Sequence, residues 1–111
     1  MINEQFKNCI DACLKCAAIC NQCAAACIDE QNVQMLKRCI QTDLDCASVC
    51  MTAAELMSRS SEFSDAYCRL CAEVCTACGE ECEKHASMHD HCRQCAQACR
   101  ECAETCRAMA A

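Results

Sequence analysis

Apolar positions recur along this chain at alternating steps of three and four, and in most of them the apolar residue is cysteine. The first run is Cys9, Cys13, Cys16, Cys20, Cys23 and Cys27. That spacing traces one buried face of a helix, with sulfur where Leu and Ile normally sit. Three further segments repeat it: Cys39, Cys46, Cys50; Cys68, Cys71, Cys75, Cys78, Cys82; and Cys92, Cys95, Cys99, Cys102, Cys106. Asp11, Gln22 and Asp29 fall on the opposite face of the first segment and read as solvated positions.

Punctuation between the stripes divides the chain into four helices, at about 4–28, 33–57, 62–86 and 88–109, within a single domain spanning 1–111. Asn3 is the expected N-cap of the first. Asp29, Glu30, Gln31 and Asn32 make the first turn, and Ser58, Arg59, Ser60 and Ser61 the second. Ser60 or Ser61 is placed to cap the third helix. Ser87, with Asp90 three residues on, resembles a capping box for the fourth. Helices of about 22–25 residues are about 33–38 Å long. Short turns make sequential neighbours antiparallel, so the fold expected is all-α, an up-down-up-down four-helix bundle with a cysteine-lined core. Gly79 lies inside the third helix, where it costs about 1 kcal/mol relative to Ala; its place beside Cys78 suggests a close helix–helix approach.

Composition sharpens this picture. The chain has 111 residues, 19 of them Cys, with no Pro and one Gly. Ile, Leu and Val are too few to fill a helical core, so cysteine must fill it as a small hydrophobe. The net charge of −6 gives no basic footprint for nucleic acid. No run of about eighteen apolar residues is expected to span a membrane. Met1, Ile2, Asn3 and Glu4 lead directly into the first stripe without the basic and apolar regions of a secretory signal, which points to a cytoplasmic chain with reduced thiols.

Four inward thiol stripes enclose a tube suited to soft metal ions. Residues three or four apart on a helix have Cβ atoms about 5–6 Å apart. A metal–sulfur bond near 2.3 Å asks for sulfurs about 4–5 Å apart, within reach of side-chain rotation. Thiolates favour Cu(I), zinc or iron–sulfur clusters. Charge discriminates among them, because one Cu⁺ per thiolate leaves the tube neutral. Zinc on four thiolates leaves about −2 per buried site, and no Lys or Arg lies on the stripes to offset it. Multiple Cu(I) ions, about one per cysteine, are the arrangement that balances. A zinc-buffering or thiol redox-sensing bundle is the alternative. A disulfide framework conflicts with the odd count and the same-helix spacing. The run from Cys92 to Cys102 lacks the loop setting and following Pro of ferredoxin clusters. No constellation stands out as catalytic, so the chain is not expected to be an enzyme.

The segments Cys68-Arg-Leu-Cys-Ala-Glu-Val-Cys75, Cys78-Gly-Glu-Glu-Cys82-Glu-Lys-His85 and His91-Cys92-Arg-Gln-Cys95-Ala-Gln-Ala-Cys99-Arg-Glu-Cys102-Ala-Glu-Thr-Cys106-Arg resemble the bacterial copper storage proteins. Leu44-Asp-Cys46-Ala and Met57-Ser-Arg-Ser-Ser-Glu-Phe63 fit the same pattern, so the resemblance covers nearly the whole chain. It implies a bundle filled with Cu(I), usually a homotetramer, and resembles the cytosolic branch that lacks a leader. Storage and detoxification, with copper passing from a donor or to an acceptor protein, are the functions it implies. Ser60 stands where that family's turn glycine is expected.

Two features depart from the plain thiol stripe. Asp43 occupies a stripe position in the second helix, either as a partner or oxygen ligand of the thiols or turned toward the rim. His85, His89 and His91 gather at the end where the first and third turns meet, with Met35 and Met88 nearby. His85 follows Cys82 by three residues and His89 precedes Cys92 by three, so both are expected to prolong the stripes. Neutral imidazole and thioether suit capture and release of Cu(I), which makes this end the expected mouth. Phe6, Phe63, Met57 and Met109 are expected to plug the other end.

Overall fold

A computed structural model describes residues 4–110. Four helices follow one another: α1, Glu4–Ile28; α2, Lys37–Ser58; α3, Ser64–Glu83; and α4, Asp90–Ala110. Each packs against two neighbours, α1 on α2 and α4, α3 on α2 and α4. This square, antiparallel arrangement is the expected up-down-up-down bundle, a rod of 47 × 18 × 17 Å. All nineteen cysteines are at most 1 % exposed, and Ala17, Ala24, Ala47, Ala54, Ala72 and Ala103 flank them in the core. Small flanks and small core residues bring the four rods close together. Asp11, Gln22 and Asp29 are exposed, as the helical pattern predicts.

Helix boundaries differ from the sequence reading where turns compete with helices. Val33–Leu36 is a 3₁₀ turn, with the Met35 amide donating to the Asn32 carbonyl at 3.0 Å. Such tight turns are common at helix starts, and this one carries Leu36 fully into the core. α2 therefore begins at Lys37. Its other end closes in a Schellman motif: Ser61 N donates to Leu56 O at 2.9 Å and Ser60 N to Met57 O at 3.0 Å. The motif needs a left-handed residue, and Ser60 supplies it at φ 51°, in the position where glycine was expected. Neither serine caps α3 directly. Phe63 is its N-cap residue, and the Ser61 hydroxyl accepts from the Phe63 amide instead.

Beyond Glu83 the chain runs through successive i→i+3 turns, His85 to Cys82 and Ala86 to Glu83. α4 starts only at Asp90, so the Ser87–Asp90 capping box does not form. The Asp90 carboxylate instead accepts from Arg93 Nε at 2.8 Å and Gln94 Nε2 at 2.7 Å within its own first turn. Asn3 lies outside the described residues. Gly79 makes the predicted close approach: a Cβ there would meet Cys99 Cβ at 3.3 Å and the Ala96 carbonyl at 3.6 Å.

Two expectations about apolar segments need correction. α1 is long and apolar enough by composition to cross a membrane, because cysteine counts as apolar even when spread among polar residues. In the bundle its apolar stripe is the buried thiol row. Phe63 does not plug the end; it is 62 % exposed, because the α3 N-cap sits on the outside of the turn. Met57 is fully buried, while Phe6, Tyr67 and Met109 are partly buried against the core.

Candidate metal centre

Stripe geometry turns the cysteines from all four helices toward one axis. Among the described residues every cysteine is a free thiol. Sulfurs from different helices stand at van der Waals and hydrogen-bonding distance: Cys9 to Cys106 at 3.5 Å, Cys46 to Cys75 at 3.5 Å, Cys20 to Cys99 at 3.7 Å. Same-helix pairs four apart are equally near, with Cys16–Cys20 at 3.8 Å and Cys46–Cys50 at 3.9 Å. Bonds of about 2.3 Å place sulfurs about 4.0 Å apart around a trigonal ion and about 4.6 Å apart across a linear one. Thiol quartets such as Cys13, Cys71, Cys102, Cys106 and Cys20, Cys78, Cys95, Cys99 have all ligand atoms within 4.8 Å of one another. Both low coordination numbers therefore fit without rearranging the helices.

The quartets overlap. Cys16 and Cys46 belong to one with Cys50 and Cys75 and to another with Cys20 and Cys99. Sulfur forms a continuous lattice rather than a set of separate four-ligand cages. No Lys or Arg side chain is buried among the described residues. Burial pushes the Cys27 thiol up to about 12, and a cation bound at such a thiol displaces its proton.

Asp43 is fully buried within this lattice, not at its rim. Its Oδ1 accepts from Cys78 at 3.1 Å, Cys95 at 3.2 Å and Cys82 at 3.4 Å, and Oδ2 faces Cys39 at 3.9 Å. Burial first, then the facing thiols of Cys95, Cys78 and Cys39, push its carboxyl up to about 11. In the metal-free protein it is a neutral acid that still presents an oxygen to four thiols.

The three histidines do gather at one end, but in different roles. His91 Nδ1 lies 3.4 Å from Cys23 Sγ, 3.6 Å from Cys92 Sγ and 3.9 Å from Cys27 Sγ. It therefore joins the terminal quartet Cys23, Cys27, Cys39, Cys92. Its Nε2 meets Glu30 Oε2 at 3.1 Å, the carboxylate support that orients an imidazole for metal. His91 in turn holds the Glu30 carboxyl below its usual range. His85 and His89 do not prolong the stripes, because α3 ends before the first and α4 begins after the second. His85 Nε2 pairs with Glu81 at 3.2 Å, and His89 Nδ1 pairs with Glu30 while its ring stacks on His91. Met35 and Met88 are about 70 % exposed.

Glu30 and Glu81 were not singled out by sequence: Glu30 read as a turn residue, and Glu81 was given no role of its own. Glu81 is 6 % exposed and collects Arg38, Lys84 and His85. The available signal was position: each acid lies within one turn of the end where the histidines cluster.

A four-helix bundle whose interior is a shared thiol lattice, with a carboxylate-supported imidazole against its thiols at one end, defines a protein that holds soft metal ions within its core. The chain belongs to the copper storage protein family, whose sequence model matches residues 2–111. It is 47 % identical over 109 residues to the uncharacterised cysteine-rich protein YhjQ of Bacillus subtilis, covering 97 % of this chain and 99 % of that one. The fold matches a cytosolic copper storage protein of Streptomyces lividans, described with five coppers, at TM-score 0.94 and 46 % identity, over 96 % of this chain and 92 % of that one. It matches the Cu(I)-bound copper storage protein BsCsp3 at TM-score 0.92 and 45 % identity, over 97 % of this chain and all of the other.

Proposed function

We propose that this chain stores and detoxifies Cu(I) in the cytosol, holding about one ion per cysteine in two- and three-coordinate thiolate sites. The observation that carries this reading is the buried lattice of overlapping thiol quartets, with no Lys or Arg buried beside it among the described residues. Each Cu⁺ replaces one proton, so filling leaves the core neutral however many ions enter. Separate zinc sites of four thiolates would leave a buried charge of about −2 each. They would also have to divide sulfurs that the overlapping quartets share. The family's named role is storage, and the core offers ligands rather than an activated nucleophile; catalysis forms no part of this reading.

All nineteen cysteines are the ligand pool, with His91 as an additional donor at the histidine end. That end is the mouth, with His91 at the outermost thiols and His85, His89, Met35 and Met88 on the connecting turns around it. Asp43 serves the lattice as a hydrogen-bond acceptor and a minor oxygen donor. Assembly as a homotetramer is supported by the family resemblance and by exposed Leu14, Leu44, Met51 and Leu70 on the outer faces; light scattering tests it. A copper donor and an acceptor protein meet the chain at the mouth.

Anaerobic titration decides the central reading. About one Cu(I) per cysteine, with helical circular dichroism already present before metal is added, is the expected result. Saturation at about one zinc per four cysteines, with weak Cu(I) binding, would overturn it.

A further inference from the structure

At the end away from the histidines each helix contributes one sulfur to the last layer of the core. Three are thiols: Cys9 from α1, Cys68 from α3 and Cys106 from α4. The fourth, from α2, is a thioether. Met57 is fully buried, and Cys68 Sγ donates toward its Sδ at 3.7 Å. Cys9 and Cys106 close the other side of the layer at 3.5 Å. They also act on the Cys68 thiol across the bundle: Cys106 first, then Cys9 and burial, push it up from its usual range. The Met57–Cys68 spacing falls among the sulfur–sulfur distances of the lattice itself, which run from 3.5 to 4.0 Å.

Chain geometry adds a second observation. Ser64 lies one turn before Cys68 on the same face of α3, is 2 % exposed, and has a buried hydroxyl without a hydrogen-bond partner. An unsatisfied buried hydroxyl costs about 1–3 kcal/mol, so its retention one helical turn from Cys68 calls for a function. A thiolate is a better acceptor than a thiol, and metal binding at Cys68 creates one.

We propose that Met57 is a metal ligand: its thioether and the Cys68 thiolate hold a Cu(I) ion at the closed end, with Cys9 or Cys106 as third donor. The inference rests on the Cu(I) storage reading and extends the site to a residue of different chemistry. A terminal ion has sulfurs on one side only, because the lattice ends there. A neutral thioether completes its coordination without adding charge, so one Cu⁺ and one thiolate still balance. Binding exchanges the Cys68 proton for Cu⁺; the proton leaves to solvent and no oxidant or reductant is needed. Methionine at an apolar bundle end also packs well on its own, and the experiment separates the two roles.

The test uses the full chain labelled with methyl-¹³C methionine, titrated anaerobically with Cu(I), a closed-shell ion that leaves the spectra sharp. The Met57 methyl resonance is identified by its loss in Met57→Leu. Should that variant not fold, it is identified by elimination with Met35→Leu, Met51→Leu, Met88→Leu and Met109→Leu, together with Met1→Leu in a chain released from a cleavable leader. The expected result is a displacement of the Met57 resonance during loading, well beyond that of exposed Met51. Met57→Leu should also surrender about one copper per chain to a competing chelator that wild type withholds. An unmoved resonance in a chain whose thiols are saturated would overturn the proposal. So would a moved resonance with copper retention unchanged in the variant, since altered packing alone would explain it. Failure of the thiols to take up Cu(I) at all would instead sink the storage reading.

Discussion

Substituting Asp43 with Asn probes whether the lattice is built around a neutral acid. In the metal-free fold the carboxyl is pushed up to about 11 by burial and by Cys95, Cys78 and Cys39, against about 3.9 in an unfolded chain. Between those values the folded chain holds a proton that the unfolded chain releases. With the folded value the higher, any stabilisation from Asp43 is fully present below about pH 4 and is lost as the pH rises toward 11. At pH 7, which is about 3 units above the unfolded value, the folded state must still hold the group protonated. At about 1.4 kcal/mol per unit, this costs about 4 kcal/mol. That figure depends only on the folded value lying above 7. The Asp43→Asn variant keeps the shape and an oxygen acceptor but has no proton to take up. Urea unfolding followed by helical circular dichroism, under anaerobic reducing conditions from pH 5 to 8, reads the difference. The stability of wild type relative to the variant should fall by about 1.4 kcal/mol per pH unit, or about 4 kcal/mol over the range. Working below pH 8 keeps the thiols, ordinarily near 8.5, out of the comparison. Parallel curves for the two proteins would show the carboxyl ionised or open to water in the fold, and the argument would fail.

Four other perturbations bear on the frame and the mouth. Ser60→Gly relieves a left-handed serine and should raise stability by about 1 kcal/mol; an unchanged or lower thermal midpoint would contradict the Schellman assignment. Gly79→Val drives branched carbon into Cys99 and Ala96 and should cost about 1–3 kcal/mol, read from the urea midpoint. Glu30→Gln weakens the support of His91, and roughly a tenfold loss of affinity is expected for the ion nearest the histidines, measured by chelator competition. Replacing His85 and His89 together with Ala should slow copper loading and release, and unchanged rates would remove the mouth from that end.

The helices and their inner faces were legible because one residue type marks every third or fourth position. A stripe fixes both the element and the side it buries, and four stripes with short turns leave little choice of topology. Helix ends were not legible, since local turns outcompete the helix there. The 3₁₀ turn at Val33–Leu36 and the turns after Glu83 depend on where Leu36 and Glu81 come to rest, which no periodicity encodes. The same loss of register redirected His85 and His89 from sulfur to carboxylates and left His91 as the imidazole that touches thiols. Asp43 could be placed on the stripe but not settled inward, because a carboxylate chooses between core and rim according to the partners it finds. Ser60 was readable only against the family's glycine; the strain it bears becomes visible in its φ of 51°.

Adjacent sulfurs run along the rod as closely spaced rungs, from Cys9 and Cys106 through Cys102, Cys50, Cys46 and Cys16 to Cys20 and Cys95, each step no longer than 4.0 Å. Cargo on such a ladder can grasp the next donor before releasing the last. On the storage reading, cargo would shift lengthwise along these rungs without the helical wall having to part.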